Sequence, residues 1–139
     1  MQVRIAETDA ELQACYPVMA ELRPHVTAAE FVERVRRQSA QGYAIAFVEE
    51  AGEVQAVAGF RLIEKLSSGL HVYVDDLVTR SAARSRGHGR ALLDWLLSHA
   101  RAQGCRALEL DSGVQRFDAH RFYFRERLII KSYHFALEL

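Results

Sequence analysis

The sequence has no excess of either charge: its 139 residues include 18 Lys or Arg and 18 Asp or Glu, which gives a formal net charge of +0. A dedicated nucleic-acid-binding protein usually carries a basic excess. The balance therefore argues against that class, although arginines cluster at residues 80–90. The sequence also lacks an apolar run long enough to cross a membrane and the apolar core of a signal peptide. We therefore expect neither a nucleic-acid partner nor a membrane partner.

Cysteine is scarce, and histidine shows no metal-binding spacing. Cys15 and Cys105 stand alone, outside any CxxC pair, and the six histidines form no H-x-x-x-H or HExxH pattern. We therefore predict no metal site and a reduced, cytoplasmic protein with two structural thiols. His25 is expected at the surface. His88 is expected to be exposed as well, with its backbone rather than its ring in use.

Half of the residues are hydrophobic, which is typical of a globular chain. The length suits one domain, residues 1–139, with a sizeable core. Apolar alternation, turn signals and capping boxes predict the order β-α-α-β-β-β-α-β-α-β-β. This order describes an α/β fold with a mixed central sheet and helices on both faces. The expected strands are residues 2–6, 43–49, 54–63, 70–78, 106–112, 128–131 and 133–139.

Two sequence signals predict where the first two helices begin. Thr8-x-x-Glu11 and Thr27-x-x-Glu30 are capping boxes, in which side chains satisfy the first free amides of a helix. Pro17 should kink or interrupt the first helix, and Pro24 should end it, because proline lacks the amide proton that a helix interior uses.

A basic loop, residues 84–90, separates the strand at 70–78 from the third helix. It begins Arg84-Ser85-Arg86-Gly87-His88-Gly89. Glycines at i and i+2 allow a sharp turn and close approach of bare amides to a ligand, and a helix start presents unpaired N–H donors. With Arg84, Arg86 and Arg90 adding charge, the loop predicts a phosphate or pyrophosphate site. An ordinary turn with surface arginines is the alternative.

Three segments together resemble the GNAT superfamily of N-acetyltransferases. Arg84, Gly87 and Gly89 match the pattern Arg/Gln-x-x-Gly-x-Gly/Ala of its acyl-CoA loop. Ala119-x-x-Phe122-Tyr123, on a predicted helix at 119–127 capped by Asp118, resembles the A-x-x-F-Y segment of the family. Tyr73-Val74-Asp75-Asp76-Leu77 looks like the aromatic-x-Glu-Asp-x segment of polyamine and glucosamine-phosphate acetyltransferases. The resemblance covers nearly the whole chain.

The resemblance implies acetyl-CoA as co-substrate and direct transfer of its acetyl group to an amine of a small molecule or peptide. It puts the thioester between two splayed parallel strands, here 70–78 and 106–112. Amides at the end of the first strand would pair with the pantetheine and polarise the carbonyl, and amides of the basic loop would hold the pyrophosphate. The implied cofactor-binding residues are Leu77, Val78, Thr79, Arg84, Ser85, Arg86, Gly87, His88, Gly89 and Arg90.

The same resemblance suggests three catalytic residues. Asp75 or Asp76 would deprotonate the amine, and Tyr123 would protonate the departing thiolate. Because adjacent strand residues point to opposite faces, we expect Asp75 to be the base and Asp76 to be an amine contact or a structural partner. The alternatives are an arginine salt bridge for the aspartates and a core position for Tyr123. Asp111 and Ser112 could line the acceptor side.

Two positions depart from the family pattern. Arg127-Leu128 stands where Gly-Phe is common, which puts the usual turn geometry there in doubt, and Arg116 stands where asparagine is often found. The first departure leaves room for an acyl-CoA-binding regulatory module without turnover. A nucleic-acid binder that uses residues 80–90 is a third interpretation.

The acceptor stays open among polyamine-like amines, aminoglycosides, amino acids and protein amines. An acidic rim would suit a cationic amine, if its members converge. The C-terminal strand, residues 133–139, could serve as the edge of a homodimer. The candidate rim residues are Glu21, Glu30, Glu64, Asp75 and Asp76.

Overall fold

Alternating apolar residues build a five-stranded sheet whose strands lie in chain order. The computed structural model describes residues 1–139, which divide into two units, Met1–Glu109 and Leu110–Leu139; the assignment of one domain to the whole chain stays a prediction. The strands are β1 (Gln2–Ile5), β2 (Ala44–Glu50), β3 (Glu53–Lys65), β4 (Gly69–Thr79) and β5 (Ala107–Leu110). The helices are α1 (Asp9–Leu22), α2 (Ala28–Ser39), α3 (His88–Ala102) and α4 (Phe117–Arg125).

The sheet is mixed, as predicted. The first four strands form an antiparallel meander. Ala51 (φ 55) and Gly52 (φ 79) turn the chain between β2 and β3, which is the geometry of a two-residue hairpin loop. β5 follows the α3 crossover and lies beside β4, where the Arg106 amide donates to the Leu70 carbonyl at 2.8 Å. A helical crossover of this length is the usual connection to a parallel neighbour.

Helices cover both faces of the sheet, as predicted. On one face, α1 and α2 bury side chains such as Leu12, Val18 and Phe31 in a cluster with Phe47 and Val57 of the sheet. Burying each of these large apolar side chains contributes about 1.5–3 kcal/mol. On the other face, Phe60 of β3 packs edge-on against Trp95 and His99 of α3. No helix combines the length and the apolar character needed to cross a membrane.

The start of α1 confirms one prediction, and its interior corrects another. Thr8 and Glu11 form the expected capping box. However, α1 continues through Pro17 without a break, so of the two predicted effects the interruption is wrong and the kink stays a prediction. Buried Cys15 and Val18 flank the exposed proline, and their packing outweighs the one backbone hydrogen bond that proline removes. The helix ends at Leu22, just ahead of Pro24, as expected.

The last two predicted strands are absent. Residues 126–139 contain neither helix nor strand, although their apolar residues alternate. A strand requires a partner for its backbone groups, and the pattern alone cannot supply one. The large apolar side chains exposed in this segment are Ile129, Ile130, Tyr133, Phe135, Leu137 and Leu139.

The turn after α4 keeps a glycine-like geometry with an arginine. Arg127 has φ 72, in the left-handed region. The amide of Leu128 donates to the Tyr123 carbonyl and that of Arg127 to the Phe124 carbonyl, which is the Schellman arrangement of a helix C-terminus. At the other end, Asp118 is not the cap: Arg116 holds that position without a capping side chain, and Asp118 pairs with Arg121.

Candidate active site

One extra residue in β4 determines where two carboxylates point. Gly59 of β3 pairs with Asp76, whereas the next residue, Phe60, pairs with Val74, so Asp75 is inserted as a β-bulge. The bulge changes the alternation of side chains along the strand. Asp75 and Asp76 therefore line the same cavity, and the expectation that they face opposite sides of the sheet is wrong.

This cavity, called here the β4 cavity, has a volume of about 250 Å³ and lies between α1, α2 and β4. Tyr73, Asp75 and Asp76 form its β4 wall. Arg34 and Gln38, one helical turn apart on α2, form its α2 wall. Arg23, His25 and Tyr43 complete the polar lining, and the apolar lining consists of Met19, Val26, Phe31 and Val35.

Asp75 is held by Arg61 of the neighbouring strand. Two hydrogen bonds join them, from Nε to Oδ1 at 3.1 Å and from Nη2 to Oδ2 at 2.8 Å, in the bidentate geometry that favours a guanidinium. Burial raises the pKa of Asp75 above its usual value, although the hydrogen bonds from Arg61 partly oppose the rise. The carboxylate is thus a stronger base than an exposed aspartate, and its orientation is fixed.

Asp76 is held by two different donors. Arg23 Nε donates to Oδ1 at 2.8 Å, and the Tyr43 hydroxyl donates to Oδ2 at 2.6 Å. Arg23 also donates from Nη2 to the Asp75 carbonyl at 2.9 Å. This hydrogen bond stabilises the backbone of the bulge. Burial, followed by the charge of Asp76, raises the pKa of Tyr43, which keeps its hydroxyl protonated.

Gly59 leaves room for this arrangement. A Cβ at this position would collide with the Tyr43 hydroxyl and with Asp76 Oδ2. The backbone of Gly59 does not have a positive φ, so space alone makes glycine necessary here. The Tyr43–Asp76 hydrogen bond therefore crosses directly over β3.

The basic loop joins α3 through two left-handed residues, Ser85 (φ 65) and Gly87 (φ 86). Gly87 is the N-cap of α3 and provides no capping side chain. Ala91 makes the first hydrogen bond of the helix, to the Gly87 carbonyl, so the amides of residues 88 and 89 are unpaired donors of its first turn. Arg84 and Arg86 are exposed and form no salt bridge, and Arg90 lies 3.9 Å from Asp94.

His88 is buried, which corrects the prediction of an exposed ring. Its side chain is 2% exposed, because it occupies the same inward face of α3 as Leu92 and Leu96, four and eight residues on. The ring Nε2 lies 2.7 Å from Glu50 Oε2, and Nδ1 lies 3.3 Å from the Ala83 carbonyl. The hydrogen bond from His88 lowers the pKa of Glu50. The ring thus ties the basic loop to the β2–β3 hairpin.

The far end of β4 extends past the end of β5. Leu77, Val78 and Thr79 pair with β3 on one side. On the other side, the contacts of β5 lie near the start of β4, where Glu109 is 3.6 Å from His71, and β5 ends at Leu110. In a strand only every second amide points toward a given neighbour. Backbone groups of residues 75–79 therefore extend beyond the short β5.

Tyr123 lies in the second unit, on α4. Its side chain is half-buried, and burial raises its pKa, a rise that the Arg116 guanidinium opposes. In the same unit, Asp111 is exposed and Ser112 is half-buried. The catalytic role of Tyr123 and the acceptor role of Asp111 and Ser112 stay predictions.

Sequence reasoning missed Arg23, Tyr43, Arg61 and Gly59. One signal was available: Arg61 interrupts an otherwise apolar strand two residues after a glycine, and a charge on a half-buried strand requires a partner. The acidic rim does not converge, since only Asp75 and Asp76 of its five members line the β4 cavity. No group of three or more His, Cys, Asp or Glu side chains is arranged to hold a metal.

The comparisons with known proteins all indicate one family. Residues 5–127 match the model of the acetyltransferase (GNAT) family. The uncharacterized N-acetyltransferase YhdJ of Bacillus subtilis (strain 168) is 35% identical over 109 residues, which cover 78% of this chain and 77% of that protein. The aminoalkylphosphonate N-acetyltransferase of Salmonella typhimurium is 40% identical over 53 residues, which cover 38% of this chain and 34% of that protein.

Solved structures share the fold at low sequence identity. A ribosomal-protein-alanine N-acetyltransferase from Brucella melitensis biovar Abortus 2308 has a TM-score of 0.86 at 13% identity, covering 100% of both chains. A glucosamine-6-phosphate N-acetyltransferase from Arabidopsis thaliana has a TM-score of 0.79 at 22% identity, covering 99% of this chain and 97% of that one. At such identities the likeness concerns the fold alone.

Proposed function

The chain belongs to the acetyltransferase (GNAT) family, and on this premise we propose that it transfers an acetyl group from acetyl-CoA to an amine by direct attack on the thioester. Acetyl-CoA supplies the acetyl group in an activated form. The residues of the chain would bind the co-substrate, hold the amine at attack distance and move its proton. Holding two reactants in place removes several kcal/mol from the barrier.

The observation that carries the proposal is the start of α3. Its amides at residues 88 and 89 have no partner in the helix, and Gly87 leaves them uncovered. Exposed Arg84 and Arg86 add charge beside them. Backbone donors and guanidinium groups at a helix N-terminus suit a diphosphate. The basic loop therefore fits the diphosphate of coenzyme A, and its cofactor-binding residues are Arg84, Ser85, Arg86, Gly87, His88, Gly89 and Arg90.

The bulge in β4 supports the roles proposed for the strand. Residues 77–79 lie beyond the end of β5, and those of the Leu77, Val78 and Thr79 amides that point away from β3 would polarise the thioester carbonyl. Backbone donors aimed at a developing oxyanion contribute about 3 kcal/mol each. Asp75, with its raised pKa, would accept the amine proton directly or through a water molecule.

Asp76 and Tyr123 complete the proposed set. Asp76 is held by Arg23 and Tyr43, which suits a carboxylate that orients the amine rather than one that accepts its proton. Tyr123 would protonate the departing thiolate, and its raised pKa keeps the hydroxyl protonated at neutral pH. A cysteine acyl-enzyme is disfavoured, because burial raises the pKa of Cys15 to about 12.

The acceptor is proposed to be an amine of a small molecule or peptide. One relative acts, by its name, on an aminoalkylphosphonate, and the names of the structural neighbours specify other amines. A homodimer and a cytoplasmic location, both expected from the sequence, stay predictions.

An acyl-CoA-binding module without turnover is the second candidate. The ion pairs of the β4 cavity favour it, because both carboxylates already have arginine partners within the structure. Both candidates bind coenzyme A, and only the acetyltransferase releases free thiol when an amine is present.

The test combines binding with turnover. Calorimetric titration with coenzyme A measures the first property, and thiol release from acetyl-CoA across a panel of amines measures the second. We expect binding and amine-dependent release. Binding without release from any amine would favour the module, and an absence of binding would remove both candidates.

A further inference from the structure

The two walls of the β4 cavity differ in charge. The β4 wall presents Asp75 and Asp76, and the α2 wall presents Arg34. Each aspartate already has a guanidinium of its own, Arg61 for Asp75 and Arg23 for Asp76. The carboxylates are therefore neutralised within the structure. They leave little field to attract a second positive charge.

The guanidinium of Arg34 forms no ion pair with Asp75 or Asp76, the two carboxylates that line the cavity. Its Nη1 donates to Glu30 at 2.8 Å, one turn away on α2, and Glu30 does not line the cavity. The side chains of Arg34 and Glu30 are 37% and 41% exposed. Exposed pairs of this spacing contribute only about 0.3–0.5 kcal/mol, so the contact competes weakly with a ligand.

A guanidinium is suited to a carboxylate or a tetrahedral oxyanion. Its five N–H donors form a planar fork that binds two oxygens at once, and the contact with Glu30 engages Nη1 alone. Gln38, one turn further along α2, lines the same wall. The α2 wall can thus receive an anionic group while the β4 wall receives an amine.

The size of the cavity limits the length of such a ligand. A volume of about 250 Å³ lies below the range of about 300–1,000 Å³ that is typical of drug-sized ligands. Met19, Val26 and Phe31 give the cavity an apolar part, which suits a short run of methylene groups. A small molecule with charged ends of opposite sign fills this space better than a polyamine or a folded protein surface.

We propose that the acceptor is a small amine that also carries an anionic group, a carboxylate or a phosphonate, and that Arg34 binds this group. The proposal rests on the proposed function for the fate of the amine. It replaces the cationic acceptor that an acidic rim would favour. Arg34 is then the residue that determines acceptor specificity, and Asp75 acts on the other end of the same molecule.

The test uses four amines with the same two-carbon spacer: 2-aminoethylphosphonate, β-alanine, ethanolamine and 1,2-diaminoethane. Thiol release from acetyl-CoA gives kcat/KM for each. We expect at least one of the two anionic amines to exceed ethanolamine about 10-fold or more, as one charge-assisted hydrogen bond allows, and the diamine to be the poorest. The better of the two anions identifies the carboxylate or the phosphonate as the recognised group.

Two variants assign the effect to Arg34. Arg34→Gln should remove the preference for the anionic amine by raising its KM far more than that of ethanolamine, and Arg34→Lys should restore part of the preference because the charge returns without the fork. Arg37→Gln, on the exposed side of the same helix, is the matched control. A preference for ethanolamine or the diamine, or an unchanged preference in Arg34→Gln, would overturn the proposal.

A binding measurement separates this proposal from the proposed function. Calorimetric titration of 2-aminoethylphosphonate and β-alanine into the protein requires no turnover. Binding that Arg34→Gln weakens, in a protein that releases no thiol, would keep the anion site and remove the acetyltransferase. Turnover of the diamine alone would keep the acetyltransferase and remove the anion site.

Discussion

The β4 cavity and the basic loop handle charge in opposite ways. In the cavity, Asp75 and Asp76 are each joined to an arginine by hydrogen bonds of normal length. In the loop, Arg84 and Arg86 are exposed to solvent and form no salt bridge. The loop contributes mainly through its backbone, in which left-handed Gly87 begins the helix.

This difference separates two kinds of recognition. The cavity holds side chains in positions that were fixed when the protein folded, so a change there affects both stability and the reaction. The loop offers amides and exposed charges, whose attraction for an anion depends on ionic strength. Three variants test this contrast, beginning with the largest expected effect, and a fourth tests the turn after α4.

Asp75→Asn should reduce kcat for acetyl transfer by about 100-fold or more, because an amide cannot accept the amine proton. Burial raises the pKa of Asp75, so the rate of the unmodified protein should fall on the acid side at a higher pH than an exposed aspartate would produce. The variant should lack this decline. Thiol release followed across pH measures both effects, with exposed Glu33→Gln as the control. A rate within threefold of the original would remove Asp75 as the base.

Gly59→Ala should lower the free energy of unfolding by about 1–3 kcal/mol, a cost typical of overpacking, because its Cβ collides with the Tyr43 hydroxyl and Asp76. Urea unfolding measures the loss. The same substitution in a Tyr43→Phe background should cost less, since the hydroxyl is then gone. If Gly59→Ala lowered the free energy of unfolding equally in both backgrounds, the Tyr43 hydroxyl would not be the group with which the new Cβ collides.

Arg84→Gln combined with Arg86→Gln should weaken coenzyme A binding about 5- to 10-fold at low salt, as two exposed ion pairs would. The difference should nearly disappear at about 1 M salt, where screening is strong. Unfolding should change by less than about 0.5 kcal/mol, because both side chains are at the surface. Arg101→Gln, exposed near the end of α3, is the control. A salt-independent loss would contradict the contrast between loop and cavity.

Arg127→Gly should raise the free energy of unfolding by about 0.5–1 kcal/mol. The left-handed arginine costs about 1–2 kcal/mol, and the added freedom of glycine in the unfolded chain cancels part of the gain. Arg125→Gly, at the last residue of α4, should instead destabilise, by less than the roughly 1 kcal/mol that glycine costs in a helix interior. Thermal unfolding measures both. Destabilisation by Arg127→Gly would mean that the arginine side chain contributes more than its backbone costs.

Most of the fold could be predicted from the sequence, because its signals are local. The capping box at Thr8-x-x-Glu11, the hairpin at Ala51 and Gly52, and the glycine at the start of α3 each act within a few residues. The final two strands failed because their alternation requires a partner that no local pattern supplies. Arg127 shows the reverse case: the helix end imposes a left-handed turn on a residue that rarely adopts one.

The site was predicted only in part. The sequence indicated the aspartates and the basic loop, but not their partners, because these are distant in the chain. Arg23 and Asp76 are 53 residues apart, and His88 and Glu50 are 38 apart. His88 was within reach of sequence reasoning, since a helix starting there puts it four residues before Leu92, on the inward face.

The bulge at Asp75 also affects how relatives should be aligned with this chain. Val74 and Val78 are separated by an even number of positions, yet Val74 pairs with Phe60 on the α3 side while Val78 belongs to the core beneath α1. An alignment scored by hydrophobic alternation therefore requires a one-residue gap in the middle of the strand. Deletion of that single codon would restore a regular ladder in which Asp76 and every later residue of β4 keep their partners on β3, and the cavity would retain one carboxylate instead of two.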